Sequence, residues 1–441
     1  MRIPYLLLST IILFFSNLIV RILGFLYKII LSKTIGEYGL GIYHIVFNLL
    51  MICLSLTTTS IPVTLSSLIA KKNSINDKKN INLIFISALY SSLLISFFIS
   101  FLLYINSEKL SLEFLHDKNL KLFIIAICPA VIVSTLSNIL RAYFYGVKKI
   151  TIPAISQVLE QISRIAFFIF LVSFIKEDNL KCYIALLGIS FGEIINILYL
   201  VFSLYKNSNI YNKYSINIKD FLDSSFETIK ISIPLTCSRI SNILLHSISS
   251  LIVPSCLVLS GINYQQSISM YGIISGMVMP LVYLPFTVGS ALVVNLIPSI
   301  SQEIELKKYS RLKTKINYSI ILTLFVGVLS SIMFYFFSRE ICLMVFDNIV
   351  ASRYLKAMFL VPIFISLNQT LSSILHSIGK EVLCGIISII SVIIQIICIY
   401  TLVPIPNINI YGYIYSLSIV SMVTSFIYMF FVYNSIKKYE Y

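Results

Sequence analysis

A chain of 441 residues with 58% hydrophobic and only 12% charged side chains, and a mean hydropathy of +0.93, is far from a soluble domain, where about a quarter of residues are charged. Its apolar runs exceed the roughly 20 residues that a helix needs to cross a hydrocarbon core of about 30 Å, and their polarity is helical rather than alternating. Composition therefore excludes a soluble enzyme and a β-barrel, and the formal net charge of +15 is accounted for by membrane topology and anionic headgroups without any nucleic acid.

In chain order, breaking the apolar runs at charged or Pro/Asn/Gly-rich stretches gives about twelve spans. They run near 5 to 31, 41 to 70, 81 to 105, 121 to 146, 151 to 175, 182 to 205, 229 to 256, 269 to 299, 317 to 338, 353 to 378, 382 to 403 and 409 to 434. The first is too long for a signal-peptide core, carries Arg21 and lacks a small-residue cleavage site, so it reads as a permanent span. Alternate connections are basic: "KKNSINDKK" from Lys71, "VKK" from Val147, "ELKKYSRLKTK" from Glu305 and the tail "IKKYEY". The positive-inside rule then places both termini of this multi-pass membrane protein in the cytoplasm. Of eight cysteines, Cys53, Cys128, Cys237, Cys384 and Cys398 fall within apolar runs without C-x-x-C or Cys/His spacing. They read as packing residues, and no metal or cofactor is expected.

The two halves echo each other. "IPVTLSSLIAKKN" after Pro62 is matched by "IPSISQEIELKKY" after Pro298, and "YGVKK" around Gly146 by "SIGKE" around Gly379. Both repeated elements fall on the cytoplasmic side, which makes the halves parallel repeats. The expected organisation is an all-α polytopic membrane protein of two six-helix lobes around a central cavity: residues 1–205, a cytoplasmic linker 206–228, and residues 229–441 with a short basic tail.

Charged groups inside the membrane are costly and usually face a water-filled cavity or a partner. Asn17, Arg21, Gly24 and Lys28 share one face of the first span, and Ser232, Thr236, Arg239, Asn242 and His246 share one face of the seventh. His44, Asn48, Ser55 and Thr59 form a weaker stripe on the second span. Gln157, Glu160, Gln161 and Arg164 recur at i, i+3, i+4 and i+7 on the fifth, and Glu193 lies in the sixth. Arg141 and Lys28 lie toward helix ends, where snorkelling to the headgroups is an alternative to a cavity role. Glu160 and Arg164 either neutralise each other or leave Arg164 free, and His246 is either a packing residue or a ligand. Embedded base exceeds embedded acid, so the interior suits an anion, and guanidinium groups match phosphate.

"VRILGFLYKIILSKTIGEYGLGIY", Val20 to Tyr43, and "LRAYFYGVKKITIPAISQVLEQISR", Leu140 to Arg164, closely resemble the stage V sporulation protein B family. That family belongs to the multidrug/oligosaccharidyl-lipid/polysaccharide exporter superfamily, which also holds lipid II flippases. The resemblance implies two six-helix lobes in a V, alternating access, and export of undecaprenyl-pyrophosphate-linked saccharides for cell wall or spore cortex. By the same resemblance Arg21 holds the pyrophosphate, with Arg239 as its counterpart. Many relatives carry two further C-terminal helices that this pattern of twelve lacks.

The expected activity is thus a flippase, with no catalytic residues and no cofactor, acting as a monomer on a lipid-linked saccharide. Its expected substrate-binding residues are Arg21, Arg239, Arg164, Lys28, Asn17, Asn242, His246 and Gln157, with Glu160 and Glu193 as the possible ion-coupling pair. The competing expectation is a cation-coupled multidrug antiporter on the same fold. A membrane-embedded transferase would want catalytic carboxylates at one membrane face, whereas Glu108, Glu113, Asp117, Glu177, Asp178, Glu340 and Asp347 are scattered among lysines like solvated loop residues.

Overall fold

A computed structural model describes residues 5–58, 61–115, 120–207, 247, 251–285, 300, 303 and 309–437. Among these residues the chain is helical with no strand. Eight helices are long and apolar enough to cross a membrane, or nine if one bent pair counts as a single span.

The first unit comprises Met1–Ile35 and Ile42–Ser247. Its first helix, α1 (Tyr5–Thr58), covers the expected first span and most of the second in one run interrupted at Gly36, where φ is 68° and ψ is −177°. That left-handed φ suits glycine, which lacks the Cβ that makes the region costly, so the break falls where the sequence permits it. Then follow α2 (Ile61–Ser74), α3 (Lys78–Ile105), α4 (Ser107–Leu115), α5 (Lys121–Gly146), α6 (Thr151–Val172) and α7 (Asp178–Asn207). Helix α4 replaces an expected loop: nine residues are too few to show a helical period in the sequence. Its Glu108, expected as a solvated loop residue, lies in the helix's first turn and pairs with Lys121 at 3.4 Å.

Helix α3 shows how a membrane reverses the usual distribution of polarity. Ser92, Ser96 and Ser100 are buried, while Leu94, Phe97, Phe98 and Phe101 are exposed. Small hydroxyl residues let helices approach closely in lipid, and large apolar groups gain nothing by leaving it. Ser100 Oγ donates to the Cys128 carbonyl of α5 at 3.0 Å, and Thr135 of α5 donates to Thr57 of α1 at 3.0 Å. Ile61, Leu65, Ile69, Phe85, Leu140, Phe144 and Leu200 fill the core between these helices.

The second unit comprises Gly36–Gly41 and Ile248–Tyr441. It contains α8 (Tyr264–Gly272), a π-helical turn over Ile273–Val278, α9 (Met279–Val282), α10 (Tyr309–Phe336), α11 (Ser338–Phe346), α12 (Ile349–Ala357), α13 (Val361–Ser377), α14 (Glu381–Leu402) and α15 (Ile410–Lys437). The expected tenth span is α12 and α13, bent by 55° just before Pro362, whose missing N–H and ring preclude a straight continuation. Ile300, Leu312, Ile316, Leu371, Ile374, Leu375, Tyr428 and Val432 form this unit's core. Most of the expected seventh span, and residues 286–299 of the expected eighth, lie outside the described residues.

The internal repeat has a structural counterpart in two turns. After α5, Lys149 N–H donates to the Phe144 carbonyl at 2.9 Å and Lys148 N–H to Tyr145 at 3.1 Å, with Lys148 at φ 61°. After α13, Lys380 N–H donates to Leu375 at 2.9 Å and Gly379 N–H to His376 at 3.0 Å, with Gly379 at φ 80°. Both close the helix through one left-handed residue. The geometry pairs Lys148, rather than Gly146, with Gly379.

Candidate functional site

Three helices of the first unit bring four charges together. On α5, the sequence "SNILR" places Ser137, Asn138 and Arg141 on one face. Arg141 Nη1 lies 3.2 Å from Glu160 Oε2 of α6, and its Nη2 lies 3.8 Å from Glu193 Oε1 of α7. Arg164 Nη2 lies 2.7 Å from Glu160 Oε1. Asn196, one turn beyond Glu193, donates to Glu160 Oε2 at 3.3 Å and to Glu193 Oε2 at 3.1 Å. Ser137 Oγ donates to Glu193 Oε2 at 2.6 Å, and Arg141 Nη2 donates to Asn138 Oδ1 at 3.1 Å. Two guanidinium groups thus balance two carboxylates, and the side chains of all four are no more than 12% exposed. A buried ion pair is tolerable in a low-dielectric interior only when its charges are matched and well hydrogen-bonded; here both carboxylates are engaged, while Arg164 Nε and Asn196 Oδ1 are buried without a partner.

The approach of α6 to α7 depends on glycine. A Cβ at Gly192 would lie 2.9 Å from the Glu160 carbonyl oxygen and 3.2 Å from Arg164 Cβ, and one at Gly188 would touch Arg164 Cγ at 3.7 Å. The Gly188/Gly192 pair therefore forms the groove that stows the Arg164 stem. Helix α1 closes over the same place: Tyr27 donates to the Ala185 carbonyl at 3.3 Å and packs edge-on against Phe168 at 5.7 Å.

The structure joins Glu160, Arg164 and Glu193, which the sequence singled out, and resolves the first two as a pair. It adds Arg141, Ser137, Asn138 and Asn196. The alternative in which Arg141 snorkels to the headgroups does not hold, because its guanidinium is buried against both acids. The polar spacing Ser137, Asn138, Arg141 and the Glu193/Asn196 i, i+3 pair were the signals available for these residues. Gln157 is half-buried, one turn before Glu160. Asn17 and Arg21 are exposed on α1, and Lys28 is half-buried there. Arg239, Asn242 and His246 lie outside the described residues.

An all-helical membrane protein of this kind has solved counterparts. The structure is similar to the inward-facing conformation of a multidrug resistance MATE family transporter of the MOP superfamily, with a TM-score of 0.77 and 14% identity over 95% of each chain. It is also similar to a MOP superfamily transporter from Pyrococcus furiosus, at TM-score 0.69 and 14% identity, covering 98% of this chain and 96% of that one. The expected spans fit that fold, and the chain is a multi-pass membrane protein. Residues 6–304 match the model of the polysaccharide biosynthesis protein family, and the chain belongs to that family; residues 240–401 also match the MatE model. In Bacillus subtilis (strain 168), it is 25% identical to stage V sporulation protein B over 408 residues, 92% of this chain and 79% of that protein. It is 25% identical to lipid II flippase MurJ of the same organism over 345 residues, 73% of this chain and 62% of that protein.

Proposed function

We propose that the protein is a flippase that moves an undecaprenyl-pyrophosphate-linked saccharide, a peptidoglycan precursor for cell wall or spore cortex, from the cytoplasmic to the outer leaflet by alternating access. The observation that carries this reading is the balance of embedded charge in the first unit. Both embedded acids, Glu160 and Glu193, are engaged by Arg141 and Arg164, whereas Lys28 of α1 has no acidic partner among the described residues. Lys28, on the stripe that also carries Asn17 and Arg21, then presents base without matching acid, which suits a pyrophosphate and disfavours an organic cation. Kinship with a sporulation protein and a lipid II flippase supports the same substrate class. Arg239, Asn242 and His246 are the proposed counterparts on the seventh span, with Gln157 bordering the site and the protein working as a monomer with no covalent step. An inside-negative potential favours outward movement of an anion by about 2.3 kcal/mol per charge per 100 mV.

The second reading, a cation-coupled multidrug antiporter, is favoured by the MATE-like fold and would use Glu160 and Glu193 as the cation site. Their engagement by arginine argues for the first. Vesicle transport separates the two: the flippase reading expects movement of a labelled undecaprenyl-pyrophosphate saccharide and no proton- or sodium-driven efflux of fluorescent organic cations. Robust cation-driven drug efflux without lipid movement would reverse the choice.

A further inference from the structure

The chain repeats itself at a constant offset. Helices α3 and α10, helices α4 and α11, and the left-handed turn residues Lys148 and Gly379 are each 231 positions apart, so the register runs through both hairpins without an insertion. Packing follows it. Ser100 Oγ of α3 donates to the Cys128 carbonyl, and Ser331 Oγ of α10 donates to the Phe359 carbonyl, donor and acceptor both displaced by that offset. On the short helices, Ser107 and Ser111 of α4 are buried, as are Ser338 and Cys342 of α11. Equivalent faces therefore pack inward in both units, and equivalent faces point outward.

What points outward differs. Asn106, Lys109 and Glu113 share one face at and after the start of α4; all three are exposed, and Lys109 pairs with Glu113 at 3.8 Å. The same positions on α11 hold Phe337, Glu340 and Met344, with Phe337 56% and Met344 86% exposed. Helix α4 shows that the fold accepts a polar surface at this register, so packing does not dictate the apolar surface of α11. Contiguous exposed apolar groups of this kind mark a contact with an apolar partner.

Position identifies that partner as the outer leaflet. After Lys315, the last basic residue of α10, the helix runs twenty-one residues from Ile316 to Phe336, about 30 Å at 1.5 Å per residue, which is the thickness of a hydrocarbon core. Its exposed residues Phe325, Leu329, Ile332 and Phe336 form the lipid-facing surface that Phe337 continues. Helix α11 thus begins where the core ends, on the side opposite the basic connections. Next to it, Lys356 Nζ sits 5.0 Å over the ring of Tyr335, and aromatic and basic groups of this kind gather at the headgroup level.

We propose that α11 is an interfacial anchor, lying among the headgroups of the outer leaflet with Phe337 and Met344 inserted into the upper acyl chains, while its counterpart α4 keeps Lys109 and Glu113 in water. The second unit is thereby fastened to the outer leaflet by a helix whose equivalent in the first unit is hydrated. The inference does not rest on the flippase reading and holds for any cargo.

The sequence contains no tryptophan, so one introduced tryptophan reports alone. Met344→Trp, Phe337→Trp, Glu113→Trp and Phe325→Trp, all at exposed positions, are compared in the full chain in phosphatidylcholine nanodiscs, with lipids brominated either high on the acyl chain or near its end. Insertion of an interfacial helix by about 5–10 Å predicts about a twofold or greater loss of emission from Met344→Trp and Phe337→Trp with the shallow bromines and a smaller loss with the deep ones. Phe325→Trp, in the middle of α10, reverses that order, and Glu113→Trp is quenched by acrylamide and by neither lipid. Emission of Met344→Trp that acrylamide quenches and bromines do not puts the face in water, open to a protein partner, and overturns the anchor. Equal bromine quenching of Glu113→Trp and Met344→Trp shows that the introduced ring itself drives insertion, and overturns it as well. Stronger quenching of Met344→Trp by deep than by shallow bromines places α11 inside the hydrocarbon core and overturns the interfacial placement.

Discussion

Arg164 Nη2 sits 2.7 Å from Glu160 Oε1, one helical turn away on α6, and the same carboxylate accepts from Arg141 of α5 through its other oxygen at 3.2 Å. One carboxylate therefore ties two helices together, and Asn196 brings in a third. Truncation of Glu160 strands two buried guanidinium groups. Glu160→Ala should lower stability by about 3–5 kcal/mol, whereas Glu160→Met combined with Arg164→Met should recover part of that loss because the charges leave together. Thermal unfolding in detergent reads both; a single variant as stable as the parent would show that the cluster contributes nothing.

Gly192 gives a steric prediction at the same place. Its Cβ position is 2.9 Å from the Glu160 carbonyl oxygen and 3.2 Å from Arg164 Cβ, and backbone cannot yield as a flexible side chain would. Gly192→Val should cost about 1–3 kcal/mol through forced separation of α6 and α7. Ser190→Ala, on the same helix, removes a hydroxyl that lacks a partner and should leave the melting temperature unchanged or higher. Equal tolerance of both changes would contradict the close approach.

Lys148 occupies a left-handed position, φ 61°, that its counterpart Gly379 fills without strain at φ 80°. Replacing Lys148 by glycine should raise stability by about 1 kcal/mol, and Gly379→Ala should lower it by a similar amount. Opposite shifts in melting temperature are the expected result; shifts of the same sign would contradict the matched turns.

Outside the membrane, Asp77 caps α3. Asn80 donates from its side chain to Oδ2 at 2.6 Å and from its backbone N–H to Oδ1 at 3.2 Å, and together with Lys72 these contacts hold the Asp77 carboxyl below its usual range. A depressed carboxylate pKa contributes stability that is full above the unfolded value, about 3.9, and fades as pH falls through the lower folded value. Hydrogen-exchange protection factors at the start of α3, corrected for the intrinsic rate, should therefore fall at acidic pH in the parent, and the pH dependence should be smaller in Asp77→Asn. Identical profiles would refute the capping role.

Most of the architecture was legible because lipid enforces it: long apolar runs of helical period gave α3, α5, α6, α7, α14 and α15 nearly to their ends, and α10 without its first two, more polar turns. The joining of two spans in α1 was not, because Gly36 sits among helix-compatible neighbours and nothing in its surroundings marks the break. The short helices α4 and α11 were hidden for want of length. At the site, the i, i+4 spacing announced Glu160 and Arg164, but Arg141 and Asn196 come from other helices, and spacing within one helix says nothing about partners across an interface. His44 stood out only as a member of a weak stripe, and spacing could not show that its Nε2 is buried without a partner.

The central claim is that the basic stripe on α1 carries an anionic lipid-linked headgroup across the membrane. Its most direct measurement is the rate at which proteoliposomes translocate a labelled undecaprenyl-pyrophosphate saccharide, with the parent beside Arg21→Ala and Arg239→Ala, at zero and at inside-negative potential. Loss of one arginine–phosphate contact predicts at least about a tenfold slower rate in each variant, and the potential should speed outward movement by the parent. Variants that translocate the lipid as fast as the parent would contradict the claim.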